Sequence, residues 1–455
     1  MSEHTGASLQ IDRLSDEDTQ ILKLGRGVIR GHTCKLVVLE PTSASGPDAP
    51  GAAMPSTEEI RDRVESRLDC APRFRKHVRR TPLGVANPVW IDDPAFDIAN
   101  HVTRVPVAGE LGRGELRELV AGLMAEPLPP DRPLWHLAVI DGLEGGGMAI
   151  VWRVHHALAD GTTLVRLASE LLWDSDSPGA ADGRARWRPE PCPTDFQLLT
   201  SGLASRAQRW RARRPREHSL HSVSATEAVV ARELRPSAST TRLAARVGSA
   251  RTVAFASLPL EASRRAGKAI SEQITVNDVV LSVIAGAVGR WLGSSASIRV
   301  KVPVSLHQRD HEANLANHNS CFFVDLPVDE PDPVRRVQAV NRETSERKLG
   351  HDAETLYHLG SHPAIARWEM SPHVFTFNVS NVPGPKQEVF VAGARVGEIY
   401  SLAEIARHHA LRIAVISSAD SLFVGLCADR EAVPDLEVLA DGIHAAGQEL
   451  LAAAA

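Results

Sequence analysis

The sequence predicts a mixed α/β protein of two lobes. Short runs rich in β-branched and apolar residues at positions 36–40 and 149–154 indicate strands, while positions 59–68 and 116–124 carry apolar residues at helical spacing. The chain has 455 residues, 43% of them hydrophobic, which suffices for two or three domains at about 150 residues each. After Trp173 a stretch rich in Pro, Gly, Ser and charge favours turns. We therefore expect two lobes and an irregular connection between them.

This connection divides the chain into three predicted regions. Residues 1–175 form an N-terminal lobe, residues 176–250 form the interlobe connection, and residues 251–455 form a C-terminal lobe. In the third region a strand pattern resumes at once, an apolar helix is predicted over 277–292 and a strand over 298–304. The order of these elements is consistent with one mixed α/β unit on each side of the connection.

Composition excludes several classes of protein. Lys and Arg total 51 against 56 for Asp and Glu, so the chain lacks the excess of positive charge that nucleic-acid binding requires. The polar, acidic N-terminus differs from a secretory signal, and the most apolar segment falls short of the ~18 residues that a membrane span needs. No CxxC pair occurs among the five cysteines, which favours reduced thiols: Cys34, Cys70, Cys192, Cys321 and Cys427. We expect a cytoplasmic protein, with any lipid contact peripheral, at the inner membrane face or on lipid droplets.

An amphipathic basic helix is predicted inside the connection. Six arginines lie between positions 206 and 216, after an apolar stripe at helical spacing: Phe196, Leu199, Leu203, Ala207 and Trp210. The stripe could enter a lipid interface while each guanidinium gains up to about 1 kcal/mol from anionic headgroups. Alternatively, the helix packs on its own lobe with a solvated basic face. The sequence leaves both interpretations open.

The strongest chemical signal is HHALADG at positions 155–161, between a predicted strand and a predicted helix. Adjacent side chains on a strand point to opposite sides, so His155 and His156 are poorly placed to share a metal ion, and we expect no metal site. One imidazole can instead be a general base, because its unperturbed pKa of about 6.5 lets it accept a proton at neutral pH. Asp160 can brace the turn, and Gly161 permits a close backbone approach.

These residues resemble the HHxxxDG motif of CoA-dependent acyltransferases, a superfamily that includes chloramphenicol acetyltransferase and peptide-synthetase condensation domains. Three further segments narrow the resemblance to the bacterial wax ester synthase and diacylglycerol acyltransferase (WS/DGAT) family. EPLPPDRPLWHLAVIDGL at 126–143 is similar to its PLW segment, TVNDVVL at 275–281 to its ND motif, and SNVPGP at 380–385 to its NVPGP motif. Motif order and distances agree along nearly all of the chain.

The resemblance implies a two-lobed fold of the chloramphenicol-acetyltransferase type, with an active-site tunnel between the lobes. It implies an O-acyltransferase that needs no cofactor, takes acyl-CoA as co-substrate, and acylates diacylglycerol to triacylglycerol or a long-chain alcohol to a wax ester. His156 matches the general base, His155 a mainly structural histidine, and Asp160 an acid that pairs with an arginine and shapes the site.

The substrate site is expected to include Gly161, Asn277, Ser380 and Asn381. The last three are candidate donors to the developing oxyanion, where losing one donor can cost about 3 kcal/mol. Each motif also has a structural interpretation, since Asn277 and Asp278 could cap a helix and SNVPGP could be a rigid loop. Trp135 of the PLW segment is expected to anchor the core.

Two departures from the family pattern leave the acceptor open. Where PVSLR and a later GN are common, this chain has His307 and Ala316-Asn317, and Arg309 could replace the missing charge. The SYxG pattern near the C-terminus is replaced by the segment 417–420, Ser-Ser-Ala-Asp. The alternatives are an acyltransferase for a specialised-metabolite acceptor and, from another class, a noncatalytic protein that binds lipid droplets through the basic helix.

Overall fold

The computed structural model describes residues 11–25, 27–41, 54–174, 187–212, 223–236, 241–293, 298–305, 319–350, 352–359 and 363–454. The strands within these ranges are β1 (Asp12–Arg13), β2 (His32–Glu40), β3 (Lys76–Arg79), β4 (Val89–Asp92), β5 (Val102–Val105), β6 (Trp135–Leu143), β7 (Gly147–His155), β8 (Arg251–Pro259), β9 (Ile298–Ser305), β10 (Asn319–Leu326), β11 (Phe377–Val382), β12 (Phe390–Val391), β13 (Ala394–Ala403), β14 (Leu411–Ser418) and β15 (Ser421–Asp429). The α-helices are α1 (Asp16–Leu24), α2 (Thr57–Arg67), α3 (Arg113–Ala125), α4 (Gly161–Leu171), α5 (Asp195–Ala212), α6 (Val223–Glu233), α7 (Leu260–Ile270), α8 (Val276–Leu292), α9 (Pro333–Leu349), α10 (Asp352–Leu359), α11 (Pro363–Glu369) and α12 (Leu436–Ala453).

The first lobe is built on a six-stranded sheet with the order β12-β13-β2-β7-β6-β5. Its central strand β7 is buried along its whole length, which explains the apolar run GMAIVW in the sequence. Trp135, on β6, is an anchor of this core as expected: it is 1% exposed, and its Nε1 donates to the carbonyl of Phe74 at 2.8 Å. A small sheet with the order β1-β4-β3 lies beside it.

The second lobe contains a six-stranded sheet with the order β10-β9-β11-β14-β15-β8, in which β11 runs parallel to both β9 and β14. α8 packs against α12 and α9 in this lobe, and its residues from Asp278 to Val288 are all buried. This burial on every side accounts for a helix that is apolar all round. α8 is capped after Leu292 by Gly293, whose φ of 59° is the left-handed conformation that glycine adopts at helix ends.

The prediction of a mixed α/β, two-lobed fold is confirmed, and the strands and helices predicted around the HHxxxDG and ND motifs are present. One pair of strands from the C-terminal region belongs to the sheet of the first lobe. β12 and β13 follow the predicted lobe boundary at residue 251, yet they complete the first sheet. β13 pairs antiparallel with β2, where Ser401 is the partner of Lys35.

Buried and exposed ion pairs join the two halves. Arg251, at the start of β8, is buried and its Nη2 lies 2.7 Å from Oε1 of Glu404, just after β13. The same Nη2 donates to the carbonyl of Val28 at 2.6 Å, in the loop before β2. At the surface, Arg117 on α3 pairs with Glu437 on α12 at 2.5 Å. The two lobes are therefore held together both by a buried ion pair and by an ion pair at the surface.

Candidate active site

The HHxxxDG turn joins β7 to α4. β7 ends at His155, and the amide of the next residue, His156, donates to the carbonyl of Gly31 at 2.9 Å. Asp160 is the N-cap of α4: its Oδ1 accepts a hydrogen bond from the amide of Thr163 at 2.7 Å. Aspartate is favoured at this position because it satisfies an amide that the helix leaves unpaired. The turn is thus held by the backbone on one side and by a helix cap on the other.

His155 points away from the second lobe, toward the loop before β2. Its Nε2 lies 3.0 and 2.9 Å from the positions that a Cβ would take at Gly25 and Gly31, so glycines make room for the ring. The amide of Ala157 donates to its Nδ1 at 3.1 Å, which leaves the hydrogen of the neutral ring on Nε2. Burial lowers the pKa of His155 to about 4. This environment fits a ring that supports the turn.

His156 is half-buried and follows the last residue of β7, within electrostatic range of Arg412 in the second lobe. Burial, followed by the positive charge of Arg412, lowers the pKa of His156 to about 3, against the opposing influence of Asp160. Arg412 stands on β14 in the second sheet, where its Nη1 donates to the carbonyl of Glu404 at 3.2 Å. The imidazole of His156 is therefore neutral across the physiological range and can accept a proton.

Two charged residues outside the motifs lie within electrostatic range of Asp160. Lys35 is buried in the middle of β2, and its Nζ donates to Oγ of Ser401 at 2.7 Å. Burial lowers the pKa of Lys35 to about 8, although Asp160 opposes the shift. Glu17 on α1 has its pKa raised to about 7 by burial, with Asp18 and Asp160 adding to the rise. A lysine inside the apolar strand HTCKLVVLE is a signal visible in the sequence, whereas nothing local marks Glu17.

The ND motif opens α8. Thr275 is the N-cap and forms a capping box with Asp278, which is buried and also accepts a hydrogen bond from Oγ1 of Thr344 at 2.6 Å. The capping interpretation is therefore wrong for Asn277, because Thr275 is the N-cap, but Asp278 does take part in the cap as the second member of the capping box. Instead, Nδ2 of Asn381 lies 3.5 Å from Oδ1 of Asn277, so the structure brings the ND and NVPGP motifs together.

The NVPGP motif begins on β11, whose side chains alternate between two faces of the second sheet. Cγ2 of Val382 lies 3.7 Å from the position that a Cβ would take at Gly161, so this face meets the HHxxxDG turn. Ser380 shares the face of Val382 by alternation, whereas Asn381 lies on the face toward Asn277. Of the four predicted substrate-site residues, Gly161 and Ser380 are thus on the side where β11 meets the HHxxxDG turn, and the two asparagines form a pair on the other face of β11.

The Pro-Gly-Pro part of the motif is fixed to β14. The amide of Gly384 donates to Oγ of Ser417 at 3.2 Å, and a Cβ at Gly384 would lie only 2.1 Å from the carbonyl oxygen of Ser417. This close approach requires glycine and supports the interpretation of a rigid loop. The other sequence departures, at His307, Arg309 and 316–317, lie outside the described residues.

A cavity of about 1460 Å³ opens in the first lobe, bordered by α1, the loop after β3, the PLW segment and α5. His155 is one of the residues that line it. Between the lobes, a hollow of about 10 Å³ borders Lys35, Trp152 and Ile416, which is at the lower limit for one water molecule. An open tunnel between the lobes stays a prediction.

The predicted basic helix is observed as α5. It packs on its own lobe through Leu198, which is buried against Val89, while Phe196 and Leu203 are 74% and 51% exposed. Arg206 lines the large cavity, and the arginines from position 213 onward lie outside the described residues. The helix therefore packs on its own lobe, and contact of its exposed side with lipid stays a prediction. Within the described part of the chain, no helix has the length and hydropathy of a membrane span.

Comparison with known proteins identifies the family. The chain matches the wax ester synthase/diacylglycerol acyltransferase catalytic domain over residues 14–280 and the WS/DGAT C-terminal domain over residues 315–450. A protein of Mycobacterium tuberculosis H37Rv that carries the name of a diacylglycerol O-acyltransferase is 31% identical over 474 residues, which cover 97% of each chain. Another from the same strain, diacylglycerol O-acyltransferase tgs1, is 30% identical over 88% of this chain and 89% of its own.

Solved structures support the same fold. The wax ester synthase/diacylglycerol acyltransferase from Marinobacter aquaeolei VT8 matches with a TM-score of 0.66 and 21% identity, over 97% of this chain and 99% of that one. The first condensation domain of the CDA synthetase matches with a TM-score of 0.60 and 17% identity, over 98% of both chains. With the family models spanning both lobes and relatives similar along nearly the whole length, the chain belongs to the WS/DGAT family of acyl-CoA acyltransferases.

Proposed function

We propose that this acyltransferase moves a long-chain acyl group from acyl-CoA to diacylglycerol or a long-chain alcohol, with His156 as the general base. The observation that carries the proposal is a neutral, partly accessible imidazole at position 156 that faces the second lobe from the end of β7. The noncatalytic alternative is not retained, because the family consists of acyltransferases. The products would be triacylglycerol or wax ester.

The proposed reaction is a direct transfer. His156 takes the proton from the acceptor hydroxyl as its oxygen bonds to the thioester carbonyl carbon. When the tetrahedral intermediate collapses, the carbon–sulfur bond breaks, and the CoA thiolate receives the proton from the imidazolium. The ester and free CoA result, with no acyl-enzyme. General-base catalysis of this kind typically accelerates a reaction about 10²- to 10⁴-fold.

The charges around His156 bear on this step in opposite directions. Asp160 favours the imidazolium that forms during the transfer, whereas Arg412 and Lys35 disfavour it and keep the resting ring neutral. Ser380 is the predicted oxyanion donor best placed for the role, because it lies on the face of β11 that meets the HHxxxDG turn. The Asn277–Asn381 pair is better suited to holding α8 against β11.

The acceptor is proposed from the relatives. The mycobacterial proteins bear the name of diacylglycerol O-acyltransferases, and the Marinobacter structure that of a wax ester synthase/diacylglycerol acyltransferase. A starter condensation domain of rhizomide synthetase, with a TM-score of 0.52, was solved in complex with C8-CoA. These names support a CoA thioester as donor and a lipid alcohol as acceptor.

Purified protein supplied with labelled palmitoyl-CoA and either diolein or hexadecanol tests the proposal. Labelled triacylglycerol or wax ester is expected from the wild type, and close to none from His156→Ala. His373→Ala is the matched control, since His373 is exposed in the second lobe. If the wild type acylates neither lipid alcohol but does acylate a polar acceptor supplied in their place, the proposed lipid acceptor is wrong. Undiminished ester from His156→Ala would show that His156 is not the general base.

We also propose that α5 contacts a lipid surface through Phe196. A phenylalanine that is 74% exposed beside a basic helix segment fits shallow insertion among lipid headgroups. Phe196→Asp is expected to reduce flotation with anionic vesicles, while Leu349→Asp, at an equally exposed site on α9, should not. Equal flotation of wild type and Phe196→Asp would contradict the contact.

A further inference from the structure

The face of the second sheet that meets the first lobe carries a row of polar side chains. Lys301 on β9, Asn378 on β11 and Arg412 on β14 are paired in register, so they lie side by side on one face. Val382, on the same face of β11, meets the HHxxxDG turn. Cys427 on β15, the strand partner of Arg412, packs in the hydrophobic core of the first lobe. Arg412 therefore lies at the junction of the lobes, on the side of the active-site turn.

The two cations of this row differ in how their charge is balanced. Nζ of Lys301 donates to Oε1 of Glu369 at 2.7 Å, in an ion pair. Arg412 donates from Nη1 to the carbonyl of Glu404 at 3.2 Å, and its Nε is buried without a hydrogen-bond partner among the described residues. The carboxylate of Glu404 is itself paired with Arg251. Within the described part of the chain, Arg412 thus has no carboxylate as counter-ion.

A half-buried guanidinium without a counter-ion is costly, because burial removes part of its hydration and no negative charge replaces it. Such groups are concentrated at functional sites, where a charge forms during the reaction. The proposed direct transfer creates one, since the thioester carbonyl oxygen becomes an oxyanion when the acceptor oxygen bonds to its carbon. After burial, the charge of Arg412 is the largest cause of the lowered pKa of His156. Arg412 is therefore within electrostatic range of the imidazole beside which this oxyanion would form.

Ser380, the predicted oxyanion donor, is a neighbour of Arg412. In the pairing of β11 with β14, Ser380 is the partner of Ala414, which comes two residues after Arg412 and shares its face. Ser380 and Arg412 are thus diagonal neighbours on adjacent strands, a separation that a long side chain can span. A hydroxyl and a guanidinium in this arrangement are two donors that can converge on one oxygen atom.

We propose that Arg412 is a catalytic residue that donates, together with Ser380, to the oxyanion formed at the thioester carbonyl. As the acceptor oxygen adds to the carbon, the carbonyl π electrons move to the oxygen, and His156 takes the acceptor proton. As the electron pair returns to the carbonyl, the carbon–sulfur bond breaks and the CoA thiolate takes that proton. The assignment rests on the proposed function and adds a charged donor to it. Arginine suits this role because its guanidinium stays charged and presents several donors.

The variant Arg412→Met distinguishes this role from a structural one. It is expected to lower kcat about 10²- to 10³-fold, as the loss of one oxyanion donor does, with the KM for palmitoyl-CoA little changed. The urea midpoint should stay the same or rise, because the arginine has no counter-ion to lose. Lys301→Met is the contrast: it leaves the carboxylate of Glu369 without its partner, so its midpoint should fall. A wild-type kcat in Arg412→Met, or a raised KM for palmitoyl-CoA as the sole change, would overturn the assignment.

Chemical rescue tests the contact itself. Arg412→Ala leaves space for a guanidinium ion, which should restore part of kcat when it is added below denaturing concentrations. Tetramethylammonium has the same charge but no donors and should not restore activity, and Arg412→Met should not respond because its side chain fills the space. Arg265→Ala, which removes an exposed arginine from α7, should behave as the wild type does. Rescue by both cations equally, or by neither, would overturn the hydrogen-bonding role.

Varying the acceptor separates this inference from the proposed function. If lipid ester forms and Arg412→Met keeps the wild-type kcat, the assignment of Arg412 fails and the function stands. If the wild type acylates a polar alcohol but neither diolein nor hexadecanol, the lipid acceptor fails, and the kcat ratio of wild type to Arg412→Met is measured on the polar alcohol. A ratio of about 10² or more there supports the assignment, and a ratio near one overturns it.

Discussion

The imidazoles of His155, the last residue of β7, and of His156, the first residue after it, are both neutral at physiological pH, yet their surroundings differ. His155 is packed against two glycines and accepts a backbone hydrogen bond, whereas His156 is within electrostatic range of Arg412 of the second lobe. The spacing of HHxxxDG is enough to select these residues from the sequence. Their different environments come from the glycines of the loop before β2, around His155, and from β14, which is far away in the chain and brings Arg412 near His156.

Replacing each histidine should separate stability from catalysis. His155→Ala leaves the amide of Ala157 without its acceptor, and is expected to lower the free energy of unfolding by about 1–3 kcal/mol. His156→Ala should leave stability nearly unchanged and lower kcat by about 10²- to 10⁴-fold. Urea denaturation and steady-state kinetics on both variants provide the measurement. A stable His155→Ala protein with no activity would instead assign the base to His155.

The pH–rate profile should reflect Glu17 more than an imidazole. Because the pKa of His156 is lowered to about 3, its base form is present throughout pH 5–8 and is lost only as the pH falls toward that value. Glu17 has its pKa raised to about 7, so it gains a negative charge near Asp160 as the pH rises through that point. We expect an inflection near pH 7 in kcat/KM that Glu17→Gln lacks. An inflection at the ordinary histidine pKa of about 6.5 that persists in Glu17→Gln would contradict this.

At the scale of elements, the site depends on where two segments touch. The HHxxxDG turn meets β11 at Gly161 and Val382, and the NVPGP loop is fixed to β14 at Gly384. The sequence predicts β2, β7, α8 and β9 because their patterns are local. It does not predict that Ser401 pairs with Lys35, since strand pairing across so long a separation leaves no local signal.

Gly384→Ala should show how tightly the NVPGP loop is seated. Its Cβ would lie 2.1 Å from the carbonyl oxygen of Ser417, so the loop must move, at a cost of about 1–3 kcal/mol in unfolding free energy and a loss of activity. Gly122→Ala is the control, because a Cβ there meets nothing within 4 Å in an exposed helix, and it should stabilise by about 0.5–1 kcal/mol. Equal stability of Gly384→Ala and wild type, measured in urea, would show that the loop is not restrained.

At the scale of the whole molecule, the buried pair of Arg251 and Glu404 connects the second sheet to the loop that leads into β2. Burial raises the pKa of Glu404 to about 7 even beside the arginine. The same guanidinium holds the carbonyl of Val28, three residues before Gly31, which accepts from the amide of His156. The geometry of the active-site turn is therefore tied to the junction of the lobes, which no single motif encodes.

Arg251→Ala is expected to destabilise the protein by about 3–5 kcal/mol, because it leaves a buried carboxylate without its partner. Activity should fall as well, as the loop before β2 loses its anchor. Arg290→Ala, which breaks the exposed pair with Glu449, should cost about 1 kcal/mol or less. Chemical denaturation of the two variants checks both values. Similar decreases in the free energy of unfolding would mean that the buried pair stabilises the protein no more than the exposed pair does.

The position of β13 inside the first sheet also bears on how the chain is made. Until residue 403 has emerged from the ribosome, β2 has no neighbour on one side, and its backbone amides and carbonyls from Thr33 to Glu40 can pair with any other nascent strand. A truncated polypeptide that stops near residue 250 should therefore aggregate when expressed alone. A synthetic peptide that spans residues 390–403 and supplies β13 should restore the solubility of this polypeptide when it is added in trans.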